Sequence, residues 1–305
     1  MQTTPMTYAD SDTQRQARRG LAIFFAIVVV LSAPIEAGII ITNALDGGLI
    51  SQFMWLTGLM AVPATASVVA RLVLREGFSD VSFRLGGRRG RSAIVQALIL
   101  PVVIGLVAYG IAWTTGLAHF GNPSALGGWG SWVVLLAVLL IVNLILVSGE
   151  EIGWRGYMLT RLIDSGVPRP VLVSVLIWGI WHVPLFLWGG FVEGASPLLA
   201  TALLMVTTTS LGYVLSRMRL ETGSVWPAIV LHVVWNDAIQ AGFHPLTTGG
   251  GKQLWVGEAG ILTALVLVVV AVIYSRGRWT ILREPPKRET ASVRQAGAQA
   301  QPRAQ

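Results

Sequence analysis

Three short motifs place ionisable or amide side chains in otherwise apolar sequence. The residues are Glu150, Glu151, Arg155, His182, His232 and Asn236. If a carboxylate, two imidazoles and a carboxamide meet in a pocket of low dielectric constant, they form a plausible hydrolytic centre. The carboxylate would act as a base toward water, and an imidazole with the amide would stabilise an oxyanion. One glutamate and two histidines are also a ligand set for zinc with an open position for water. These residue types predict hydrolysis and leave metal dependence open.

The first motif lies at the end of an apolar block, in residues 148–157. If the helix continues through it, Glu151 and Arg155 are four residues apart and can form an ion pair. Glu150 then points about 100° away and can face the interior of a helix bundle. The alternative is that all three are ordinary charges at the membrane interface.

The two histidine motifs lie inside later apolar blocks. Pro184 follows His182 and frees a backbone carbonyl one turn earlier, which could hold the imidazole ring. His232 and Asn236 are four residues apart, so a helix presents both side chains on one face. Packing between helices is the alternative explanation for each motif, but the shared face of His232 and Asn236 favours a common ligand.

Composition indicates which elements must position these side chains. The chain of 305 residues is 53% hydrophobic and only 12% charged, whereas a soluble domain has about 25% charged residues. A helix needs about 20 apolar residues to cross a bilayer. Eight blocks have this length or nearly so, and we predict an all-α, polytopic membrane bundle of eight spans: residues 21–45, 49–74, 93–117, 132–147, 171–188, 198–215, 225–243 and 259–274.

The positive charges predict the orientation of these spans. Of the 22 Lys and Arg residues, 21 fall on one side of the predicted membrane and only Lys252 falls on the other. Positive residues are retained in the cytoplasm, so both termini are predicted to be cytoplasmic. With Glu150 at the inner end of the fourth span, the candidate site lies in the inner half of the membrane. We expect it to open to the cytoplasm.

The remaining sequence limits partners and chemistry. The chain has no cysteine, which excludes disulfides and thiolate metal sites. The pI near 10.5 follows from the cytoplasmic arginines, so we predict membrane lipids as partners and no nucleic acid. Residues 1–19 and 281–305 are predicted to be disordered and cytoplasmic, around a membrane domain at 20–280. The oligomeric state stays open.

At these motifs the chain resembles the CPBP family of intramembrane proteases, which includes type II CAAX prenyl endopeptidases and bacteriocin-processing and self-immunity proteins. The motif Glu-Glu-x-x-x-Arg matches Glu150, Glu151 and Arg155. Phe-x-x-x-His matches at His182, with Trp178 in place of the usual phenylalanine, and His-x-x-x-Asn/Asp matches His232 and Asn236. The resemblance covers about residues 130–245.

The resemblance implies an endopeptidase in which Glu150 and His182 activate water while His232 and Asn236 stabilise the oxyanion. Glu151 and Arg155 would be a supporting pair. A zinc ion held by Glu150, His182 and His232 is an open alternative to a glutamate-dependent mechanism. The expected substrate is a membrane-associated or hydrophobic peptide, and the expected location is a bacterial plasma membrane. A catalytically silent immunity or scaffold protein is the first rival function, and a transporter is the second.

Overall fold

A computed structural model of the chain describes residues 11–189 and 196–277. The described part is an all-α bundle, as predicted, with one short antiparallel pairing of β1 (His119–Phe120) with β2 (Thr247–Thr248). The α-helices in chain order are α1 (Ser11–Thr42), α2 (Gly48–Leu74), α3 (Gly87–Thr115), α4 (Trp129–Gly153), α5 (Leu159–Asp164), α6 (Pro170–Trp188), α7 (Pro197–Thr222), α8 (Trp226–Trp235), α9 (Lys252–Trp255) and α10 (Ile261–Ser275).

Two π-helical segments interrupt this series. Trp154–Met158 connects α4 to α5, and Asn236–Phe243 continues α8. A π-helical turn accommodates an extra residue and changes the direction of the side chains that follow it. Both segments begin within four residues of a candidate site residue.

Six helical segments of the described chain are long and apolar enough to cross a membrane. They agree with the first six predicted spans. The two remaining predicted spans correspond to α8 with its π-helical continuation and to α10, whose 15 residues are fewer than a crossing usually needs. The structure thus supports a multi-pass membrane protein, and the count of eight spans stays a prediction.

The boundaries of α1 differ from the prediction. Helix α1 begins at Ser11, so residues 11–19 are helical, although the sequence predicted them to be disordered. Buried Ala17 on this first part of the helix explains why it is ordered. Residues 1–10 and the predicted C-terminal tail at 281–305 lie outside the described residues.

The fourth span is also longer than predicted. The chain stays helical from Trp129 to Asp164, so about 20 Å of helix follows Glu150 at ~1.5 Å per residue. The helix therefore continues through the first motif, as the predicted pairing of Glu151 with Arg155 requires, and the position of Glu150 at the inner end of the membrane span stays a prediction. The physical reason for the longer helix is that Trp154, Tyr157 and Met158 are all fully buried, which keeps this stretch inside the bundle.

Helix α4 has two different environments along its length. Its first half exposes Val134, Val138, Ile141 and Ile145, as expected for a surface in contact with lipid. In its last two turns Val147, Glu150, Glu151 and Gly153 are buried. A Cβ atom on Gly153 would lie 2.4 Å from the carbonyl carbon of Pro63, so α2 and α4 are in backbone contact next to the first motif.

Candidate active site

The carboxylate of Glu150 lies inside the bundle and is held by helix α6. Glu150 is 3% exposed, and its Oε2 accepts a hydrogen bond of 3.0 Å from the indole Nε1 of Trp178. A buried carboxylate needs such a donor because unpaired burial of a charge is costly. The interaction joins the first motif to the second.

Glu151 faces a different set of partners from the same helix. Its Oε1 accepts hydrogen bonds from Arg155 Nη1 at 2.8 Å and from His232 Nδ1 at 2.9 Å. The ion pair expected from the four-residue spacing therefore forms, and Glu151 and Arg155 are both fully buried. The contact with His232 was not predicted, and it joins α4 to α8.

Arg155 is positioned by packing as well as by its ion pair. Its Cζ lies 4.2 Å from the ring centroid of Trp178, an arrangement typical of a cation–π interaction. A Cβ on Gly212 would approach Arg155 Nη2 to 3.0 Å, so the glycine in α7 provides the space that the guanidinium occupies.

His182 is anchored by its own helix. Its Nδ1 lies 2.8 Å from the carbonyl oxygen of Trp178. A carbonyl only accepts hydrogen bonds, so Nδ1 carries the proton and Nε2 of the neutral ring is an acceptor. The carbonyl that Pro184 frees belongs to Ile180, so the expectation that this carbonyl would hold the ring is wrong.

Trp178 is the residue that connects the three motifs. Its ring centroid lies 5.2 Å from that of His182 and 5.3 Å from that of His232, both edge-to-face. The same side chain donates to Glu150 and stacks on Arg155. The sequence reasoning treated Trp178 only as a replacement for phenylalanine. The sequence did contain a signal for this role. Trp178 lies one turn before His182, and tryptophan, unlike phenylalanine, has an N–H group that can donate a hydrogen bond.

His232 and Asn236 lie one turn apart and are 5% and 9% exposed. Asn236 is the first residue of the π-helical segment Asn236–Phe243. The structure therefore brings Glu150, Glu151, Arg155, His182 and His232 together through direct contacts with one another or with Trp178. Asn236 follows on the helix of His232, as its spacing predicts.

The expected zinc ligands do not form a metal site. In residues 11–189 and 196–277, no group of three or more His, Cys, Asp or Glu side chains is arranged to hold a metal ion. His232 uses Nδ1 on Glu151, and His182 uses Nδ1 on a backbone carbonyl. Both contacts leave the Nε2 atoms of the two histidines available, so a zinc ion held by Glu150, His182 and His232 stays a prediction.

Comparison with known protein families agrees with the resemblance that the motifs indicate. Residues 128–237 match the family model described as "Type II CAAX prenyl endopeptidase Rce1-like". This is a protease family, and the matched range contains all six candidate residues. No curated protein has significant similarity to the chain.

Proposed function

We propose that this multi-pass membrane protein, whose residues 128–237 form an Rce1-like domain, is an intramembrane endopeptidase that cleaves a membrane-associated or hydrophobic peptide. The observation that carries the proposal is the position of Trp178. One side chain contacts Glu150, His182 and His232, which come from three different helices. Such convergence of a carboxylate and two imidazoles suits acid–base chemistry.

Glu150 and His182 act on the attacking water in this proposal. The carboxylate of Glu150 takes a proton from water while the unprotonated Nε2 of His182 orients it. The water oxygen bonds to the carbonyl carbon of the substrate. The proton then passes from Glu150 to the amide nitrogen, the carbon–nitrogen bond breaks, and the carboxylic acid product gives its remaining proton to Glu150 or to the amine as the two products leave.

His232 and Asn236 interact with the oxyanion that forms on the carbonyl oxygen. The amide of Asn236 donates from nitrogen, and a His232 ring protonated on both nitrogens donates from Nε2. Glu151 holds the Nδ1 side of His232, so that Nε2 points away from the ion pair. Arg155 neutralises the buried charge of Glu151.

The contacts support a mechanism that needs only these side chains. The nearly complete burial of Glu150 and Glu151 provides the low dielectric constant in which charge interactions strengthen. The chelation experiment described in the Discussion tests the metal-dependent alternative.

The decisive experiment compares peptides released by membranes that contain the intact chain or the Glu150→Gln variant. Glutamine preserves the size of the side chain and removes the base, so the products are expected to disappear. Glu36→Gln is the matched control, because Glu36 is a buried carboxylate in α1 (8% exposed) outside the candidate site. If Glu150→Gln releases the same peptides as the intact chain, the protein is not a Glu150-dependent protease.

A further inference from the structure

The π-helical segment Asn236–Phe243 is long for its type. π-helices occur mostly as single turns inserted into α-helices, frequently at functional sites, whereas this one has eight residues. It begins with Asn236, one of the two groups that interact with the oxyanion in the proposed mechanism. The direction of the Asn236 side chain therefore depends on the contacts that hold this segment in its π-helical conformation.

Two side chains from other helices bond to the later part of the segment. Tyr109, which is fully buried in α3, donates a hydrogen bond of 3.3 Å from its hydroxyl to the carbonyl oxygen of Ile239. Trp132, in α4, donates one of 3.0 Å from its indole to the carbonyl oxygen of Ala241. The ring of Tyr109 also stacks on that of Phe243, with 5.1 Å between the ring centroids.

Glu258 holds the beginning of the same segment. It is partly buried and lies in the connection between α9 and α10. Its Oε1 accepts a hydrogen bond of 2.6 Å from the amide of Gln240, and its carboxylate also accepts a hydrogen bond from the side chain of Trp235. Trp235 immediately precedes Asn236, and Gln240 follows Asn236 by four residues. One carboxylate is therefore bonded to residues on both sides of Asn236.

The spacing of these two donors connects Glu258 to the helix type. Trp235 and Gln240 are five residues apart. In an α-helix of 3.6 residues per turn, side chains with this spacing point about 140° away from each other. In a π-helix the backbone hydrogen bonds connect residues five apart, so these side chains lie near one face. The two bonds to Glu258 therefore stabilise the π-helical conformation relative to the α-helical one.

Glu258 is also close to the other oxyanion group. Its carboxylate lies within the range of an electrostatic interaction with His232, whose Nδ1 is bonded to Glu151. Trp235 lies between His232 and Asn236 in the chain and is only 2% exposed. The hydrogen bond from Trp235 therefore joins Glu258 to the helical turn that carries both groups.

We propose that Glu258 is a positioning residue for the oxyanion site. By accepting hydrogen bonds from Trp235 and Gln240, it holds the chain in the π-helical conformation that directs Asn236 at the substrate carbonyl. This inference rests on the proposed protease function. It adds a residue from beyond residue 237, where the match to the family model ends.

Glu258→Ala removes both hydrogen bonds. The loss of even one hydrogen bond to a charged group corresponds to about a tenfold change in rate or more, so kcat is expected to fall at least about tenfold. KM should change little, because the oxyanion that Asn236 contacts forms only as the reaction proceeds. Both constants are measured on a peptide whose release depends on Glu150. An unchanged kcat, or a loss that appears only in KM, would overturn the proposal.

Glu258→Gln separates hydrogen bonding from charge. A glutamine at this position can accept from Trp235, and the amide of Gln240 can rotate to accept from its new neighbour. This variant should therefore keep kcat within about threefold of the intact chain, since it retains the bonds whose loss is worth about tenfold. If it loses as much kcat as Glu258→Ala, the charge of Glu258 is what matters and the positioning role is wrong.

Amide hydrogen exchange of the full-length protein in detergent tests the contact without any cleavage. Opening of a local segment raises the exchange of its amides, so Glu258→Ala should raise exchange in residues 236–243 and leave residues 154–158 unchanged. Glu258→Gln should resemble the intact chain at both places. If exchange in residues 236–243 is the same in Glu258→Ala as in the intact chain, Glu258 does not hold the segment.

Lys252→Met is the matched control from the same connection. The Lys252 side chain donates a hydrogen bond of 2.8 Å to the carbonyl oxygen of Thr247, which lies after the π-helical segment. Its loss should change neither kcat nor exchange in residues 236–243, and a loss equal to that of Glu258→Ala would contradict a specific role for Glu258. If Glu150→Gln changes no product, the proposed function fails, and the exchange measurement still decides whether Glu258 holds the segment.

Discussion

Replacement of Trp178 by phenylalanine tests how the candidate site is positioned. The substitution removes the 3.0 Å hydrogen bond from the indole to Glu150. It keeps an aromatic ring beside Arg155 and the backbone carbonyl that anchors His182. Phenylalanine is also the residue that the family motif has at this position, so a ring of this size should be tolerated.

The expected loss follows from the energy of that one interaction. A hydrogen bond to a charged group contributes about 1.5–3 kcal/mol, and about 1.4 kcal/mol corresponds to a tenfold change in rate. If the bond acts by holding Glu150 in its catalytic position, kcat should fall roughly 10- to 100-fold in Trp178→Phe. KM should change little, because the indole N–H is directed at the carboxylate of Glu150.

Trp181→Phe is the matched control on the same helix. The indole of Trp181 donates a hydrogen bond of 2.8 Å to Ser32 Oγ, a neutral partner outside the site, and its ring lies 4.9 Å from that of His182, a contact that phenylalanine can keep. Both variants lose one indole hydrogen bond, and the thermal midpoint in detergent should fall further in Trp178→Phe, because its bond is to a charged group and that of Trp181 is to a neutral hydroxyl. Only Trp178→Phe should lose kcat, measured on a peptide that depends on Glu150. Equal kcat losses in the two variants, or an unchanged kcat in Trp178→Phe, would refute the positioning role.

Three further predictions follow from the ion pair, the candidate zinc ligands and the burial of His244. Glu151→Gln should lower the free energy of unfolding by about 3–5 kcal/mol, because the fully buried Arg155 loses its counter-ion. Denaturant titration in detergent measures this loss of unfolding free energy. A loss below about 1 kcal/mol, which is typical of an exposed ion pair, would contradict the burial of this pair. Chelation with removal of trace zinc should leave peptide release unchanged, because the described histidines and acids form no three-ligand group. If chelation stops the release of peptides and added zinc restores it, this prediction is wrong. Burial, and secondarily Lys252, lowers the pKa of His244 from 6.5 to about 4, so the unfolded chain binds a proton that the folded chain does not. Stability should therefore decrease as the pH falls from 6.5 toward 4, and His244→Gln should weaken this decrease; an identical dependence of thermal midpoint on pH in both proteins would exclude His244 as its cause.

The lengths of the apolar blocks and the motif spacings were sufficient to predict the membrane bundle and the pairing of Glu151 with Arg155. These features depend on local sequence. The number of residues that a helix needs to cross the membrane, and the proximity of side chains four residues apart on a helix, are properties of a single segment. The family resemblance followed from the same local motifs and agrees with the match at residues 128–237.

Contacts between helices could not be obtained in this way. The sequence predicted a fourth span that ends near Val147, but the helix continues to Asp164, where packing buries Trp154, Tyr157 and Met158. The two π-helical segments, which contain Arg155 of the first motif and Asn236 of the third, were not predicted from the sequence. Both depend on tertiary packing.

The amino-acid sequence by itself determined which residues are available for chemistry and, through the arginines, which membrane face is predicted to be cytoplasmic. The tertiary structure decided their partners: Trp178 beside Glu150 and both histidines, and Glu151 beside His232. It also paired Arg71 with Asp80 and Arg161 with Glu76 in partly buried ion pairs. The physical reason is that a motif specifies side chains on one helix, whereas a hydrogen bond or a cavity requires the relative positions of several helices.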